Sequence, residues 1–559
     1  MRAAICKLTG VFFFFISISF VFAGYKSYRN PIICEDYSDP DVIRVGKDYY
    51  MVSSSFNMMP GLPVLHSKDL VHWRIINHVY ERLPDAHFTY RGRTAEELSY
   101  DKPVQGKGCW APCLRYHDGW FYVFFGEPDA GVYMSRTKDP AEKWSRLHLV
   151  YEAHGVIDTS PLWDKKTGRA WLAYAYAASR AGINGRVVMQ EMSWDAMRLI
   201  GEPKIVFDNF DPNFKGHGEY PTIEGCKFMQ RNGYYYILCP ANGVEKGNQA
   251  ALRATRPDGP YEIRTICETG KTNINGPHQG GLVDTPSGEW WFIHFQSVGT
   301  LGRIIRMEPA EWVDDWPVAG IDPDGDGIGN PVEEYRMPNV GKEYPLMFPQ
   351  MSDTFEEKHL GLQWQWPANP KKEWYTLKDG HLVLFAQHVP GNDLGKVANL
   401  LTQKFPAYCF TATARVCLEP DNTPDVQTGL GAHGKENIHI SVRVVERRRY
   451  RISVFKGTES VVSEEVDIPD NVAYLRMSTR GKLPLPYKDE KSGQCFCQFS
   501  YSLDGFKYKE LGPQMPASEG VWMGAQIALF CIADRPNGKG SAAIDWLNLD
   551  IQSLMGLDK

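Results

Sequence analysis

The sequence predicts an all-β chain, a five-bladed β-propeller followed by a lectin-like β-sandwich, and three observations carry that prediction. Aromatic residues make up 13% of the 559, and glycine and proline number 51 and 37, while long apolar stretches of 3.6-residue period are hard to find. One hairpin pattern recurs five times: an apolar strand, a turn ending in Gly, one or two variable residues, and an aromatic-rich second strand. A Gly/Asp/Pro-rich break then separates these copies from a second series of short strand-like runs. One hydrophobic core rarely serves a chain of this length, so two domains of unequal size are expected.

Residues 1–23 carry Arg2 and Lys7, an apolar run from Gly10 to Phe22, and the small-residue ending Val21-Phe22-Ala23. That order describes a secretory signal peptide cleaved after Ala23. A membrane anchor is the competing reading, but the run is short for a span of roughly 20 residues. No Cys directly follows it to carry a lipid. The expectation is a secreted or periplasmic protein with no membrane attachment after cleavage. Losing Arg2 and Lys7 takes 61 Lys+Arg to 59, against 67 Asp+Glu, a net charge of −8. That balance argues against nucleic acid or any other polyanion as a partner, and it sets no oligomeric state. Cys6 leaves with the signal, and the other eleven cysteines lack the paired spacing of zinc sites. Most are expected to be small core residues.

The propeller is assigned to residues 24–335. Its hairpins are Val42–Ser55 around Gly46, Leu114–Gly126 around Gly119, Leu162–Tyr176 around Gly168, Phe228–Pro240 around Gly233 and Leu282–Gln296 around Gly288. Successive glycines lie 73, 49, 65 and 55 residues apart, the length of a four-stranded antiparallel sheet with its loops. A large β-sandwich would give similar hairpins and remains the alternative. The linker is assigned to residues 336–350. From residue 351 to 559, runs such as His381–Gln387, His439–Phe455 and Cys495–Tyr508 suggest a β-sandwich packed on the propeller. At the boundary, Asp322, Asp324, Asp326 and Glu333 have the spacing of an EF-hand-type calcium loop, making structural calcium a candidate. The flanking helices of such a loop are not evident, and a solvated hairpin fits equally.

In a propeller the innermost strand of each blade starts near the axis, so residues just upstream of the hairpins converge. Those residues are Asp39, Trp110, Asp158, Glu224 and His278. Each has a plainer reading as a turn or buried structural residue. Together, three carboxylates in one cavity match glycoside hydrolysis, which needs one acid to protonate the leaving oxygen and one carboxylate to activate water or attack. A third carboxylate raises the acid's pKa by like-charge repulsion.

The motifs Asp36-Tyr37-Ser38-Asp39-Pro40-Asp41, Ser54-Ser55-Phe56 and His66-Ser67-Lys68-Asp69-Leu70-Val71-His72-Trp73 resemble glycoside hydrolase family 43. So do Gly108-Cys109-Trp110-Ala111-Pro112, Gly155–Pro161, Thr222-Ile223-Glu224-Gly225, Asn275–Leu282 and Leu301-Gly302-Arg303. The C-terminal part is similar to the concanavalin A-like accessory β-sandwich of the family's β-xylosidase-like members. The resemblance covers nearly the whole chain beyond the signal. It implies an inverting, exo-acting enzyme that releases β-D-xylose or α-L-arabinofuranose from plant cell-wall polysaccharides or oligosaccharides, with no required cofactor. In residue terms it implies Asp39 as general base, Glu224 as general acid and Asp158 as the carboxylate that orients Glu224. Arg303 then contacts substrate, Trp110 and Phe56 wall the terminal sugar pocket, and His278 lies at its floor. Cys113, Cys226 and the long polar loop at 79–104 depart from the family pattern.

A fructan-cleaving hydrolase would show Asn-Asp-Pro, Arg-Asp-Pro and Glu-Cys, where this chain has Ser38-Asp39-Pro40, Ile157-Asp158-Thr159 and Glu224-Gly225-Cys226. A non-catalytic carbohydrate-binding protein would gain little from three desolvated like charges.

Overall fold

Each of the five hairpins forms, and each opens a four-stranded antiparallel sheet whose strands follow one another in sequence. The computed structural model describes residues 26–84, 99–389, 391, 393–446, 448–483 and 493–556. The predicted signal peptide, residues 1–23, and part of the polar loop, residues 85–98, lie outside the described residues.

Blade 1 comprises Asp41–Val45, Asp48–Val52, Gly61–Ser67 and Trp73–Tyr80. Blade 2 comprises Trp110–His117, Trp120–Glu127, Gly131–Thr137 and His148–Glu152. Blade 3 follows with Val156–Asp164, Arg169–Tyr176, Arg186–Met192 and Leu199–Asp208. Lys227–Arg231, Tyr234–Ala241, Asn248–Ala254 and Glu262–Cys267 make blade 4. His278–Asp284, Trp290–Ser297, Arg303–Val313 and Trp316–Ala319 make blade 5. The five hairpin glycines have φ between +65° and +87°, the left-handed region that a Cβ penalises, which explains why each turn ends in Gly.

Because every blade is continuous in sequence, the ring is tied shut by other groups. Ser27–Arg29 pairs antiparallel with Glu334–Arg336. The Asn30 side chain donates to the Met307 and Val332 carbonyls at 2.8 and 2.9 Å. The first strand of each blade runs away from one face of the ring. That face therefore carries the starts of the first strands, the connections between second and third strands, and those between blades. The hairpin glycines lie on the other face.

The C-terminal domain is a sandwich of an eight-stranded and a seven-stranded sheet. Its first sheet centres on Cys409–Leu418 and Ser541–Ser553, its second on Gln526–Ala533 and Val426–His433. Inward positions alternate, as in Phe410, Ala412, Ala414 and Val416, which fill the space between the sheets. The run at 439–455 is two strands, Ile438–Glu446 and Arg449–Lys456, rather than one. Val298, Leu301 and Ile304 of the propeller belong to the same apolar cluster as the sandwich interior, so the two domains share a core. All eleven cysteines among the described residues are free and most are buried. No helix among them is long and apolar enough to cross a membrane.

Candidate active site

The pocket is built where the innermost strands of the blades begin, and irregular backbone aims its side chains. Asp39 and Asp158 have φ of 55° and 58°, and Thr222 and Gln279, beside Glu224 and His278, have 56° and 43°. Non-glycine residues hold such conformations only where their surroundings compensate the strain, and they concentrate at functional sites. Register shifts also interrupt the first hairpins of blades 2, 3 and 5, between Trp110 and Cys113, Ile157 and Ser160, and His278 and Gly281. Bulges of this kind turn a side chain out of the pleat, here toward the axis.

Asp39 is buried, and both of its carboxylate oxygens accept hydrogen bonds. Arg303 Nη1 donates to Oδ1 at 2.7 Å and Ser54 Oγ to Oδ2 at 2.5 Å. Asp158, from blade 3, accepts the Gly225 backbone N–H at 2.7 Å, which ties it to the residue after Glu224. Burial raises the Asp158 pKa, the Gly225 bond opposes that rise, and the charge of Asp39 adds to it. Glu224 is half-buried, and its carboxyl has no hydrogen-bond partner among the described residues. Burial, then the charges of Asp158 and Asp39, push its pKa well above the usual carboxylate range, and Arg303 only partly offsets them. The upward push is larger on Glu224 than on Asp158, so a proton shared between these carboxyls resides on Glu224.

The remaining predicted residues surround this trio. Trp110 and Phe56 form an apolar cluster with Met58 and with Met523 of the sandwich. Phe56 forms an isolated bridge with Cys109, joining blade 1 to the start of blade 2. The Arg303 guanidinium lies 4.8 Å from the Phe295 ring centroid. His278 is fully buried below the pocket, 5.4 Å from the same ring, with neither ring nitrogen partnered among the described residues. Burial, then the charge of Arg303, lowers its pKa to about 3, so it is neutral.

At the boundary loop, Asp322, Asp324 and Asp326 place carboxylate oxygens within 4.8 Å of one another. Glu333 does not complete that group; its carboxylate lies 3.5 Å from Arg306 Nη2. The buried guanidinium is the nearer charge, which spacing alone does not reveal.

Sequence reasoning missed Trp522. Its ring, 49% exposed, comes from the sandwich and stands 6.4 Å from Trp110 and 5.7 Å from the Arg303 guanidinium. Asp36 anchors this loop by accepting the Gly524 N–H at 2.9 Å and the Arg303 N–H at 3.0 Å. The one local signal was a Trp set between glycines in Gly520-Val521-Trp522-Met523-Gly524, at φ +66° for Trp522. Asp36 and Ser54 stood in recognised motifs without a role.

Residues 28–317 match the model of Glycosyl hydrolases family 43, and residues 352–550 match that of the β-xylosidase C-terminal concanavalin A-like domain. The chain belongs to glycosyl hydrolase family 43. It is therefore a glycosidase whose substrate is a polysaccharide or oligosaccharide, and hydrolysis in this family generally needs no cofactor. A chain of Xylanibacter ruminicola with a provisional β-xylosidase name is 36% identical over 521 residues, covering 90% of this chain and 86% of that one. A β-xylosidase of Formosa agariphila is 28% identical, covering 94% and 91%. A non-reducing-end α-L-arabinofuranosidase of Bacteroides ovatus is 29% identical, covering 78% of each. Among solved structures, a bifunctional family 43 protein of Bacteroides eggerthii superposes with a TM-score of 0.76 at 26% identity, covering 94% of this chain and 64% of that longer one. A xylan β-1,4-xylosidase of Bacillus halodurans shares the fold, with a TM-score of 0.76 at 22% identity over 93% and 99% of the two chains.

Proposed function

We propose that this family 43 enzyme is an exo-acting, inverting hydrolase that releases terminal pentose units from plant cell-wall polysaccharides or oligosaccharides. β-D-xylose is the leading product and α-L-arabinofuranose the second. The observation that carries the mechanism is the unequal treatment of the carboxyls: Arg303 and Ser54 donate to Asp39, whereas Glu224 faces two anions. Glu224 donates its proton to the glycosidic oxygen as the bond from that oxygen to the anomeric carbon breaks. Asp39 takes a proton from the water that attacks the anomeric carbon from the opposite face. The two hydrogen bonds on Asp39 leave lone pairs for that water. The charge of Asp158 helps to raise the Glu224 pKa, and its bond to the Gly225 N–H positions Glu224. The free donors of Arg303 suit two sugar hydroxyls, with Trp110, Phe56 and Trp522 as apolar walls and neutral His278 as the floor.

The pentose assignment rests on the named relatives, of which one is a β-xylosidase and another an α-L-arabinofuranosidase. A product profile on xylo-oligosaccharides, arabinoxylan and arabinan tests it, and monomeric xylose as the main product is expected. Proton NMR of the first-formed anomer tests inversion; a product that keeps the substrate configuration would overturn it.

Two finer points belong to the same reading. Residues 1–23 direct export, which N-terminal sequencing of the native protein checks at Ala23. Calcium binds Asp322, Asp324 and Asp326, so chelation should lower the melting temperature by several degrees; an unchanged melting temperature removes calcium from the account.

A further inference from the structure

The sandwich covers the pocket unevenly. Trp522 stands against Trp110 of blade 2 and Arg303 of blade 5, and its backbone carbonyl accepts from Ser38 Oγ at 3.4 Å beside blade 1. The connection from blade 1 to blade 2 is also tied to the sandwich, through Gln105 Nε2 to the Gly434 carbonyl at 3.1 Å. A side chain at Gly106 would meet Val521 at 2.5 Å, so that seam is tight. These contacts roof blades 5, 1 and 2, which leaves the side of blades 3 and 4 for the leaving-group end of a substrate seated in the pocket.

Blade 3 presents apolar surface along that way. Its connection between second and third strands begins with the short helix Ala178–Ala181, whose Arg180 lies 5.4 Å from the Trp110 ring centroid. Ile183 follows, 37% exposed, and then Gly185. The Gly185 carbonyl accepts the Asn209 N–H at 2.9 Å, and a Cβ on Gly185 would lie 2.8 Å from the Phe210 ring. Phe210 itself is 62% exposed. Its loop is well held: Asp208 Oδ1 accepts the Phe210 N–H at 2.9 Å, and Asn209 Oδ1 accepts the Tyr220 N–H at 2.8 Å. The same connection carries Glu224. A single exposed apolar side chain is ordinary, but here an aromatic and an aliphatic side chain share the pocket face of a blade that, among the described residues, lacks such a roof.

We propose that Phe210, held against Gly185 on the connection that also carries Ile183, is a stacking platform for a distal sugar on the leaving-group side of a pentose oligosaccharide. This rests on the exo-hydrolase reading above and deepens it. A pyranose ring offers C–H faces, and a flat aromatic fixed on a rigid loop binds such a face with little entropy cost. The platform makes the enzyme favour longer chains over the disaccharide although both present the same terminal sugar to the pocket.

The test compares kcat/KM for xylopentaose with that for xylobiose in the full-length enzyme, Phe210→Ala, Phe210→Trp and the control Phe506→Ala. Phe506 is 89% exposed on the sandwich. The wild-type ratio is expected to exceed one and to fall about three- to tenfold in Phe210→Ala, the size of one aromatic contact. It should stay high in Phe210→Trp and in Phe506→Ala. A wild-type ratio of one, or a ratio that Phe210→Ala leaves unchanged, overturns the platform while leaving the exo-hydrolase intact. A wild-type enzyme that releases xylose from neither oligosaccharide, while active on arabino-oligosaccharides or on no pentoside, overturns the xylosidase reading itself.

Discussion

Within the pocket Asp39 has two donors on its carboxylate, whereas Glu224 faces Asp158 and Asp39 with only Arg303 to offset them. A general acid must be protonated at the pH where it works, and an unperturbed Glu, at about 4.3, is not. Asp158→Asn keeps the shape and removes the anion, so the Glu224 pKa should fall. The basic limb of the kcat/KM profile should then move to lower pH, and activity at neutral pH should drop by roughly 10²-fold. A profile superposable on the wild type would make Asp158 a merely structural residue. The acid role has its own signature: Glu224→Ala should lose far more activity on xylo-oligosaccharides, whose leaving group needs a proton, than on 4-nitrophenyl xyloside. Asp39→Ala should impair both substrates alike, and steady-state kinetics on the two separates these outcomes.

At the level of elements, the hairpin glycines and the Trp522 loop do different work. Gly119 has φ +80° and open space where a Cβ would go, so Gly119→Ala meets strain but no clash. A loss of about 1 kcal/mol is expected in denaturant unfolding, with catalysis unaffected because the turn lies on the face opposite the pocket. Trp522 reaches the pocket from the other domain on a strained backbone anchored by Asp36. Trp522→Ala should raise KM for xylo-oligosaccharides by about three- to tenfold with a smaller effect on kcat, as for a wall that binds the ground and transition states alike. An unchanged KM would show that Trp522 only packs the seam.

Across the whole molecule the domains meet at a polar seam as well as a shared core. Glu35 is buried there in a small cavity with Tyr37, His78, Gln363, Gln403 and Lys404. Burial pushes the Glu35 carboxyl up to about 7, and Lys404 opposes that rise. An acid whose pKa is raised on folding binds more protons in the native state, so its contribution to stability is complete at low pH and lost as pH rises. From Glu35, unfolding free energy should therefore decline between the unfolded value, about 4.3, and about 7. Glu35→Gln should flatten that decline in urea titrations across the interval, by an amount on the order of 1–3 kcal/mol. A wild-type slope retained in Glu35→Gln would assign the decline to other groups.

The sequence by itself determined the repeated unit and which polar side chains stand at its start. A two-residue period, a turn that needs positive φ and an aromatic return strand are all encoded within about fifteen residues, so the five hairpins around Gly46, Gly119, Gly168, Gly233 and Gly288 were legible. So were Asp39, Asp158 and Glu224 as candidates, because each stands seven to ten residues upstream of its hairpin glycine. Only the tertiary structure decided how these groups act on one another. Glu224 is pushed toward protonation by burial and by the charges of Asp158 and Asp39, His278 sinks below the pocket against Phe295, and Glu333 turns to Arg306. Trp522 enters from the second domain. In each case the partner is distant in sequence or belongs to another element, and the interaction exists only once the ring closes and the sandwich docks. Local periodicity records which face of a strand is buried, but not which charge or ring will lie opposite it.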